Sequence, residues 1–291
     1  MKRNILVLSV IIFPLFALAS EQIHFNSASV PLTPFKIKQA KAKGIELKPK
    51  PGVALVGQLS KPKGTGSFPA VILLHSCFGI RPYQDRWAMK LTQWGYVALQ
   101  VDSFGPRNME DTCTDLDAAF WLGVGTTNFA DVHGALLYLR GQQFVDKDRV
   151  AVMGWGHSAI LSAVLRNGEQ RYSDGKFRAA IALYPDCREL SSGDFYVPLL
   201  LHIGVNDDWN LPKFCELMAA ASEPLPNPIE LRIHPDTQHG FDDADVGQRW
   251  YYEKAQNRYK TPARGATLGY NAVAHQSTEE HVRAFLTMHF K

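Results

Sequence analysis

The sequence lacks an excess of charge of either sign, and it has no long basic run. Its 31 Lys and Arg residues are balanced by 28 Asp and Glu residues, which gives a formal net charge of +3 over 291 residues. Nucleic-acid-binding domains carry clustered positive charge, so the sequence does not predict a nucleic-acid partner. Glycine, proline and hydrophobic residues occur in ordinary globular proportions, which excludes disordered and collagen-like chains.

Long apolar runs are also scarce, and the first one has the features of a targeting signal. Lys2 and Arg3 precede the apolar residues 5–16, and residues 17–19 supply the small side chains that signal peptidase requires. We therefore expect residues 1–19 to be a cleaved signal peptide and the product to be periplasmic or secreted. The alternative, an uncleaved anchor, is disfavoured because a spanning helix needs about 20 apolar residues. After cleavage, no stable membrane insertion is expected.

Cysteine is rare, with four residues in the chain, and no Cys-x-x-Cys spacing occurs. A structural zinc site is therefore not expected. In an oxidising compartment an even number of cysteines favours disulfides, and four cysteines allow three pairings. Reduced, buried thiols are the alternative.

The body of the chain alternates between short apolar runs and segments with helical spacing. A continuous apolar run such as residues 70–74 is typical of a strand that is covered on both faces. The other predicted strands are 45–47, 53–59, 96–101, 150–153, 179–184, 198–203 and 229–233, and the predicted helices are 83–94, 128–139, 157–165 and 277–289. Strands separated by helices predict an α/β fold, with a mostly parallel sheet covered by helices on both faces.

No internal repeat and no domain break is evident. Residues 20–43 are polar and contain several lysines, so we interpret them as an N-terminal surface arm. Residues 44–291 are interpreted as one domain. Within it, residues 242–276 are rich in Tyr, Arg and Asp and are predicted to be an irregular excursion.

Candidate catalytic residues follow four of the predicted strands. Functional residues of a parallel sheet gather at the carboxyl ends of its strands. One strand leads to residues 75–79, a second to 154–159, a third to 204–209 and a fourth to 239–241. A sharp turn, then an acid, then a histidine is the chain order of α/β-hydrolases.

These segments resemble the dienelactone hydrolase family, in particular its exported members. The resemblance extends from Gly44 to the C-terminus and is carried by six motifs in the family's order, residues 69–79, 94–98, 101–107, 152–155, 207–209 and 239–241. It implies an α/β-hydrolase fold and an esterase or lactonase that uses a Cys or Ser nucleophile, an Asp and a His. The expected substrate is a small ester or lactone, without a cofactor or a metal.

The resemblance places the acid at Asp207 and the base at His239. Asp207 follows Gly204 by three residues, the usual position of this acid, and Asp208 is its nearest rival. The carboxylate would orient the imidazole while His239 transfers the proton. Taken singly, Asp207 is better explained as a loop cap and His239 as a polar residue beside a turn. Their family order favours the catalytic interpretation.

At the nucleophile the sequence departs from the family pattern, Gly-x-Ser/Cys-x-Gly. The matching segment is Gly154-Trp155-Gly156-His157-Ser158, with a glycine at the tip of the elbow. An alternative register puts Ser158 at the tip, but then Ile160 occupies a position where the elbow needs a small residue. We therefore expect Gly156 at the tip.

Two functional outcomes follow, and the sequence leaves both open. In one, the nucleophile is lost, and the chain is a catalytically silent relative that binds a small ligand or a protein partner. In the other, Ser158 attacks from a displaced position. Ser158 is preferred over Cys77, since the loop of Cys77 normally lines the oxyanion hole. The alternative role of Ser158 is that of a small residue replacing the motif's final glycine.

The resemblance also implies an oxyanion hole, a pocket and two disulfides. The hole would use backbone N–H groups of His157 and of the Ser76–Cys77 turn. In the implied fold the third and fourth strands are neighbours, as are the sixth and seventh, so the disulfides would be Cys77–Cys113 and Cys187–Cys215, each worth about 2–4 kcal/mol. The candidate pocket residues, with core packing or a surface ion pair as alternatives, are Phe78, Trp155, Trp209 and Arg107. The oligomeric state is not predicted.

Overall fold

The computed structural model of the protein describes residues 20–29, 32, 34–114, 128–156, 159–166, 175–188 and 192–291. The strands are β1 (Glu21–Asn26), β2 (Ala54–Ser60), β3 (Phe68–Leu74), β4 (Val97–Asp102), β5 (Val145–Trp155), β6 (Ala179–Leu183), β7 (Leu199–Gly204), β8 (Ile229–His234), β9 (Trp250–Gln256) and β10 (Arg264–Leu268). The helices are α1 (Pro34–Ala42), α2 (Pro82–Gln93), α3 (Asn128–Arg140), α4 (Ala159–Val164), α5 (Pro212–Ser222) and α6 (Ala272–His289).

Eight strands form one sheet in the order β1-β2-β4-β3-β5-β6-β7-β8. From β4 to β8 in this order, neighbouring strands are parallel, whereas β2 is antiparallel to β4 and β1 is antiparallel to β2. The central strands are buried along their length, and every residue of β6 and β7 is buried. Their continuous apolar sequences reflect cover on both faces. The predicted α/β-hydrolase fold, a mostly parallel sheet flanked by helices, is confirmed.

The segment that we expected to be a polar arm contributes a strand to the sheet. β1 lies at the edge and pairs with β2 over its full length. Ile23 and Phe25 are buried, whereas Gln22 and His24, which alternate with them along the strand, are exposed. This period of two is typical of a strand with one face on the core, but only two apolar side chains carry the signal.

Four further segments differ from the sequence predictions. Residues 45–47 are not a strand, and α5 was not predicted although Pro212 stands at its first position, a common helix start. α6 begins at Ala272 rather than Ser277, because the side chain of Asn271 accepts hydrogen bonds from the N–H groups of Val273 and Ala274. Residues 242–276 are not irregular throughout, since they contain the antiparallel hairpin β9–β10.

Both expected disulfides are present, Cys77–Cys113 and Cys187–Cys215. No helix in the described part of the chain combines the length and the apolar character needed to cross a membrane. The predicted signal peptide, residues 1–19, lies outside the described residues.

Candidate active site

A sharp turn at Gly156 follows β5 and precedes α4. Gly156 has φ = 69°, a left-handed conformation that glycine adopts without a steric penalty. Its N–H donates to the carbonyl of Leu183 at 3.0 Å, and its carbonyl accepts from the N–H of Asp186 at 3.2 Å. Nδ2 of Asn210 donates to the same carbonyl at 2.9 Å. The turn is therefore fixed by the end of β6 and by the loop after β7.

Close packing beside the turn explains the glycine at position 154. A Cβ on Gly154 would collide with the side chain of Ile160 and would lie 2.8 Å from the carbonyl oxygen of Leu74. Ile160 thus fills the space that Gly154 leaves open. In the described part of the turn, Gly156 stands at the bend after β5.

His239 and Asp207 form a buried hydrogen-bonded pair beyond the ends of β8 and β7. Nδ1 of His239 lies 2.8 Å from Oδ2 of Asp207, and the two residues are 4% and 2% exposed. A carboxylate only accepts, so Nδ1 carries the proton and Nε2 is left as the basic nitrogen. Oδ1 of Asp207 accepts from the backbone N–H groups of Trp209 at 3.0 Å and Asn210 at 2.8 Å, which fix the carboxylate.

The two loops that carry this pair approach each other closely at Gly204. A Cβ on Gly204 would collide with the carbonyl of Thr237, so only glycine permits the approach. The N–H of Asn206 donates to that carbonyl at 2.9 Å. The carbonyl of His239 accepts from the N–H of Gly269 at 3.0 Å, which fixes the backbone of the histidine from the hairpin side.

The basic nitrogen of His239 faces the tip of the elbow. A Cβ on Gly156 would lie 3.7 Å from Nε2 of His239 and 3.6 Å from Cβ of Ser76. The elbow, the base and the loop after β3 therefore converge at one point. A hydroxyl or thiol on residue 156 would be in reach of the imidazole, but glycine supplies neither.

Asp208, the rival acid, is engaged by other partners. Its Oδ2 accepts from Nζ of Lys260 at 2.7 Å and from Oγ1 of Thr267 at 2.9 Å, and its Oδ1 accepts from the N–H of Thr267 at 2.7 Å. Burial alone would raise the pKa of Asp208, but these hydrogen bonds outweigh it and hold the pKa below its ordinary value. Asp208 anchors the hairpin, and Asp207 pairs with the histidine.

The predicted oxyanion loop is folded tightly at Ser76. The carbonyl of Ser76 accepts from the N–H of Gly79 at 3.1 Å, and its hydroxyl accepts from the N–H of Phe78 at 3.3 Å. The carbonyl of Cys77 accepts from the N–H of Thr112 at 2.9 Å. The N–H groups of Ser76 and Cys77 take part in none of these bonds, so both are candidate donors on this loop. The other predicted donor, His157, and the predicted nucleophile, Ser158, lie outside the described residues.

Two of the candidate pocket residues are beside the histidine. The ring centroid of Trp209 lies 4.9 Å from that of His239, and the ring of Phe78 lies 6.0 Å from that of Trp209. Trp155, by contrast, is a core residue with 1% exposure.

Arg107 forms an ion pair and does not line a pocket. The pair is buried, whereas the alternative considered from the sequence was an ion pair at the surface. Its guanidinium donates to both carboxylate oxygens of Asp131, at 2.9 and 2.8 Å, and to the carbonyl of Ser103 at 2.6 Å. The side chains of Arg107 and Asp131 are 15% and 0% exposed. A guanidinium held by these acceptors is not available to a substrate carboxylate.

No sequence motif pointed to the buried carboxylate of Asp242. It accepts from Nε1 of Trp155 at 2.8 Å, from Nε1 of Trp87 at 2.8 Å and from the hydroxyl of Tyr184 at 2.7 Å. The ring of Tyr184 packs on His239 at 4.4 Å between centroids. Asp242 thus connects the end of β5 to the ring that covers the histidine. Its position directly after the His-Gly-Phe motif was the one available signal.

Asn210 is a second residue that the sequence did not indicate. Its side-chain amide donates to the carbonyls of Gly156 and Tyr184, at 2.9 and 2.7 Å, while its backbone N–H donates to Asp207. It therefore holds the elbow and the acid loop together. Within the described residues, no group of three or more His, Cys, Asp or Glu side chains is arranged to hold a metal ion.

Comparison with known proteins gives one family match and several similar folds. The sequence pattern of the dienelactone hydrolase family matches residues 55–289. A protein of a Bradyrhizobium species, named a probable 2-oxo-3-(5-oxofuran-2-ylidene)propanoate lactonase, is 26% identical over 200 residues, which cover 65% of this chain and 80% of that protein.

Two solved structures illustrate the similarity of fold. A dienelactone hydrolase-like promiscuous phosphotriesterase from metagenomic libraries has a TM-score of 0.67 at 16% identity, covering 94% of this chain and 100% of that chain. The apo form of Thermogutta terrifontis esterase 2 has a TM-score of 0.57 at 16% identity, covering 82% and 91% of the two chains.

Proposed function

The chain belongs to the dienelactone hydrolase family, and from this membership we propose that it hydrolyses a small carboxylic ester or lactone. The observation that carries the proposal is the buried His239–Asp207 pair, hydrogen-bonded at 2.8 Å, with Nε2 of the histidine 3.7 Å from the Cβ position of the elbow tip. The lactonase name of the Bradyrhizobium relative supports the lactone part of the substrate class.

In the proposed reaction His239 is the general base and later the general acid. Asp207 holds the imidazole through Nδ1, so Nε2 takes the proton of the attacking hydroxyl as its oxygen adds to the substrate carbonyl. The same nitrogen then returns the proton to the departing alcohol oxygen. The N–H groups of His157 and of the Ser76–Cys77 turn are the proposed donors to the oxyanion.

Ser158 is the proposed nucleophile, because Gly156 has no side chain and Ser158 lies two residues later in the chain. Its hydroxyl would form an acyl-serine with release of the alcohol, and water activated by His239 would then release the acid. A second function, that of a catalytically silent protein that binds a small ligand in the same cleft, is favoured by one observation, the glycine at the elbow tip.

Ser158→Ala separates these possibilities in an assay with a p-nitrophenyl ester. If Ser158 is the nucleophile, kcat/KM falls by at least about 10²-fold, while the exposed Ser67→Ala control keeps its activity. Activity that survives Ser158→Ala excludes this residue. A wild-type protein without any esterase or lactonase activity supports the silent protein.

Gly156→Ser tests the assignment of the base by adding a hydroxyl beside His239 instead of removing one. The new Cβ has ordinary contacts, at 3.6 Å or more, and its hydroxyl would lie beside Nε2 of His239. The left-handed backbone costs a serine about 1–2 kcal/mol, which a folded domain tolerates. We expect hydrolysis to increase, together with labelling by a fluorophosphonate. A folded Gly156→Ser protein without activity would remove support from Asp207 and His239.

We also propose that the protein is exported with removal of residues 1–19. The two disulfides support this proposal, because such bonds persist in oxidising compartments. Expression of the full chain in a Gram-negative host, followed by N-terminal sequencing of the periplasmic product, tests it. A product in the cytoplasm with Met1 retained would contradict export.

A further inference from the structure

Four aromatic side chains form a continuous surface that begins at His239. Trp209 packs on the histidine, and Phe78 lies 6.0 Å from Trp209 and 5.6 Å from Tyr252 between ring centroids. Trp250 stacks on Tyr252, with centroids 4.9 Å apart and ring planes inclined by 22°. We call Phe78, Trp209, Trp250 and Tyr252 the aromatic rim.

The rim is assembled from three separate parts of the chain. Phe78 belongs to the loop after β3, which also contains Ser76, and Trp209 follows Asp207 by two residues. Trp250 and Tyr252 are alternate residues of β9, so their side chains lie on the same face of that strand. Tyr251 between them lies on the opposite face, where Nζ of Lys260 is 5.1 Å from its ring centroid.

The rim presents ring surface to solvent beside the proposed base. Nε1 of Trp209 donates to the carbonyl of Gln256 at 2.8 Å, and the hydroxyl of Tyr252 donates to Asp111 at 3.2 Å. These polar atoms are bound within the protein, so Trp209 and Tyr252 offer a ligand mainly their faces and edges. Trp250 is 41% exposed, and the other three side chains are half-buried.

From this arrangement we infer that the substrate carries a flat aromatic ring, which packs on the aromatic rim while its carbonyl lies at Nε2 of His239. Aromatic rings attract one another through their quadrupoles in addition to the area they bury. A saturated ring of equal size lacks that attraction. The difference corresponds to about a 2- to 12-fold preference in affinity. The inference rests on the proposed function, since it names the class of ester or lactone that is hydrolysed.

A pair of matched ligands tests the inference without requiring catalysis. Phenylacetate and cyclohexylacetate have the same carboxylate and similar size, but only the first is aromatic. We expect the full-length, disulfide-bonded protein to bind phenylacetate about 2- to 12-fold more tightly in calorimetry. The kcat/KM for methyl phenylacetate should exceed that for methyl cyclohexylacetate by a similar factor in a pH-stat assay. Equal or reversed affinities would overturn the inference.

Two variants of the aromatic rim test whether the rim causes the preference for the phenyl ring, and a variant of Tyr251 on the same strand is their control. Trp250→Leu and Tyr252→Leu keep an apolar side chain but remove the ring, so each should reduce the phenyl preference, leaving the affinity for cyclohexylacetate unchanged. Tyr251→Leu removes a more exposed ring from the opposite face and should preserve the preference. An equal loss in all three variants would contradict a specific ring site.

The binding and hydrolysis measurements separate this inference from the proposed function. Selective binding of phenylacetate without hydrolysis of either ester would support the ring site and contradict the hydrolase. Hydrolysis of both esters at equal kcat/KM, with equal product affinities, would support the hydrolase and contradict the ring site.

Discussion

Strands β7 and β8 are joined by two histidine-centred pairs, one beyond their ends and one within them. His239 pairs with Asp207 in the loops, whereas Nδ1 of His202 in β7 lies 2.8 Å from Nε2 of His234, the last residue of β8. The hydroxyl of Thr278 on α6 contacts both of these nitrogens, at 3.2 and 3.3 Å. All three histidines are buried, with exposures of 4%, 0% and 6% for His239, His202 and His234.

Both pairs are buried, and they differ in the partner of the histidine, which is a carboxylate in the outer pair and a second histidine in the inner pair. The carboxylate of Asp207 accepts from Nδ1 of His239 and leaves Nε2 directed at the elbow. In the inner pair, burial lowers the pKa of His234 to about 4. Burial, with His234, His281 and Arg232 nearby, also holds the pKa of His202 well below its ordinary value. The outer pair is the proposed site of proton transfer, whereas burial keeps the inner pair neutral as part of the core.

The largest expected effect is loss of activity on removal of the outer histidine. His239→Ala should lower kcat/KM for an ester by about 10²–10⁴-fold, because it removes the proposed general base. His24→Ala, at an exposed position on the opposite edge of the sheet, is the control and should retain full activity. A loss of less than tenfold in His239→Ala would show that the outer pair has no catalytic role.

The second prediction concerns acid stability and the inner pair. The unfolded chain takes up a proton on His234 near pH 6.5, whereas the folded protein resists it until about pH 4. The free energy of unfolding contributed by this residue is therefore complete above pH 6.5 and is lost as the pH falls towards 4. Urea unfolding across this range measures the loss. His234→Gln, which cannot titrate, should show a smaller decrease, and parallel curves for the two proteins would contradict the assignment.

The smallest expected effect is the loss of stability on removal of the Thr278 hydroxyl, which contacts both histidines of the inner pair. Thr278→Val keeps the shape of the side chain but removes its contacts with His202 and His234, so the free energy of unfolding should fall by about 1 kcal/mol. Thr287→Val on the same helix is the control. Its exposed hydroxyl donates to the carbonyl of Arg283, four residues earlier, and this bond involves neither histidine. Equal losses in both variants would show that the histidine contacts contribute nothing.

Most strands of the sheet were predicted from short hydrophobic patterns in the sequence. Largely apolar runs located β3, β4, β6 and β7, because a strand covered on both faces needs few polar residues along its length. β1 was missed, since two buried residues among polar ones give a weak pattern. The hairpin β9–β10 was missed because the side chains of β9 are mostly exposed, and the place of the hairpin is fixed by Asp208 and Trp209 from another part of the chain.

The sequence by itself determined which residue types follow which strands, and so it located Asp207, His239 and the glycine at position 156. With the family resemblance it also determined the pairing of the cysteines. Only the tertiary structure decided that Asp207 rather than Asp208 meets the histidine, that Arg107 is occupied by Asp131, and that Asp242 joins Trp87 to Trp155. Those contacts link residues 24 to 155 positions apart. The physical reason is that short-range periodicity reports burial, whereas hydrogen-bond partners depend on how distant segments pack.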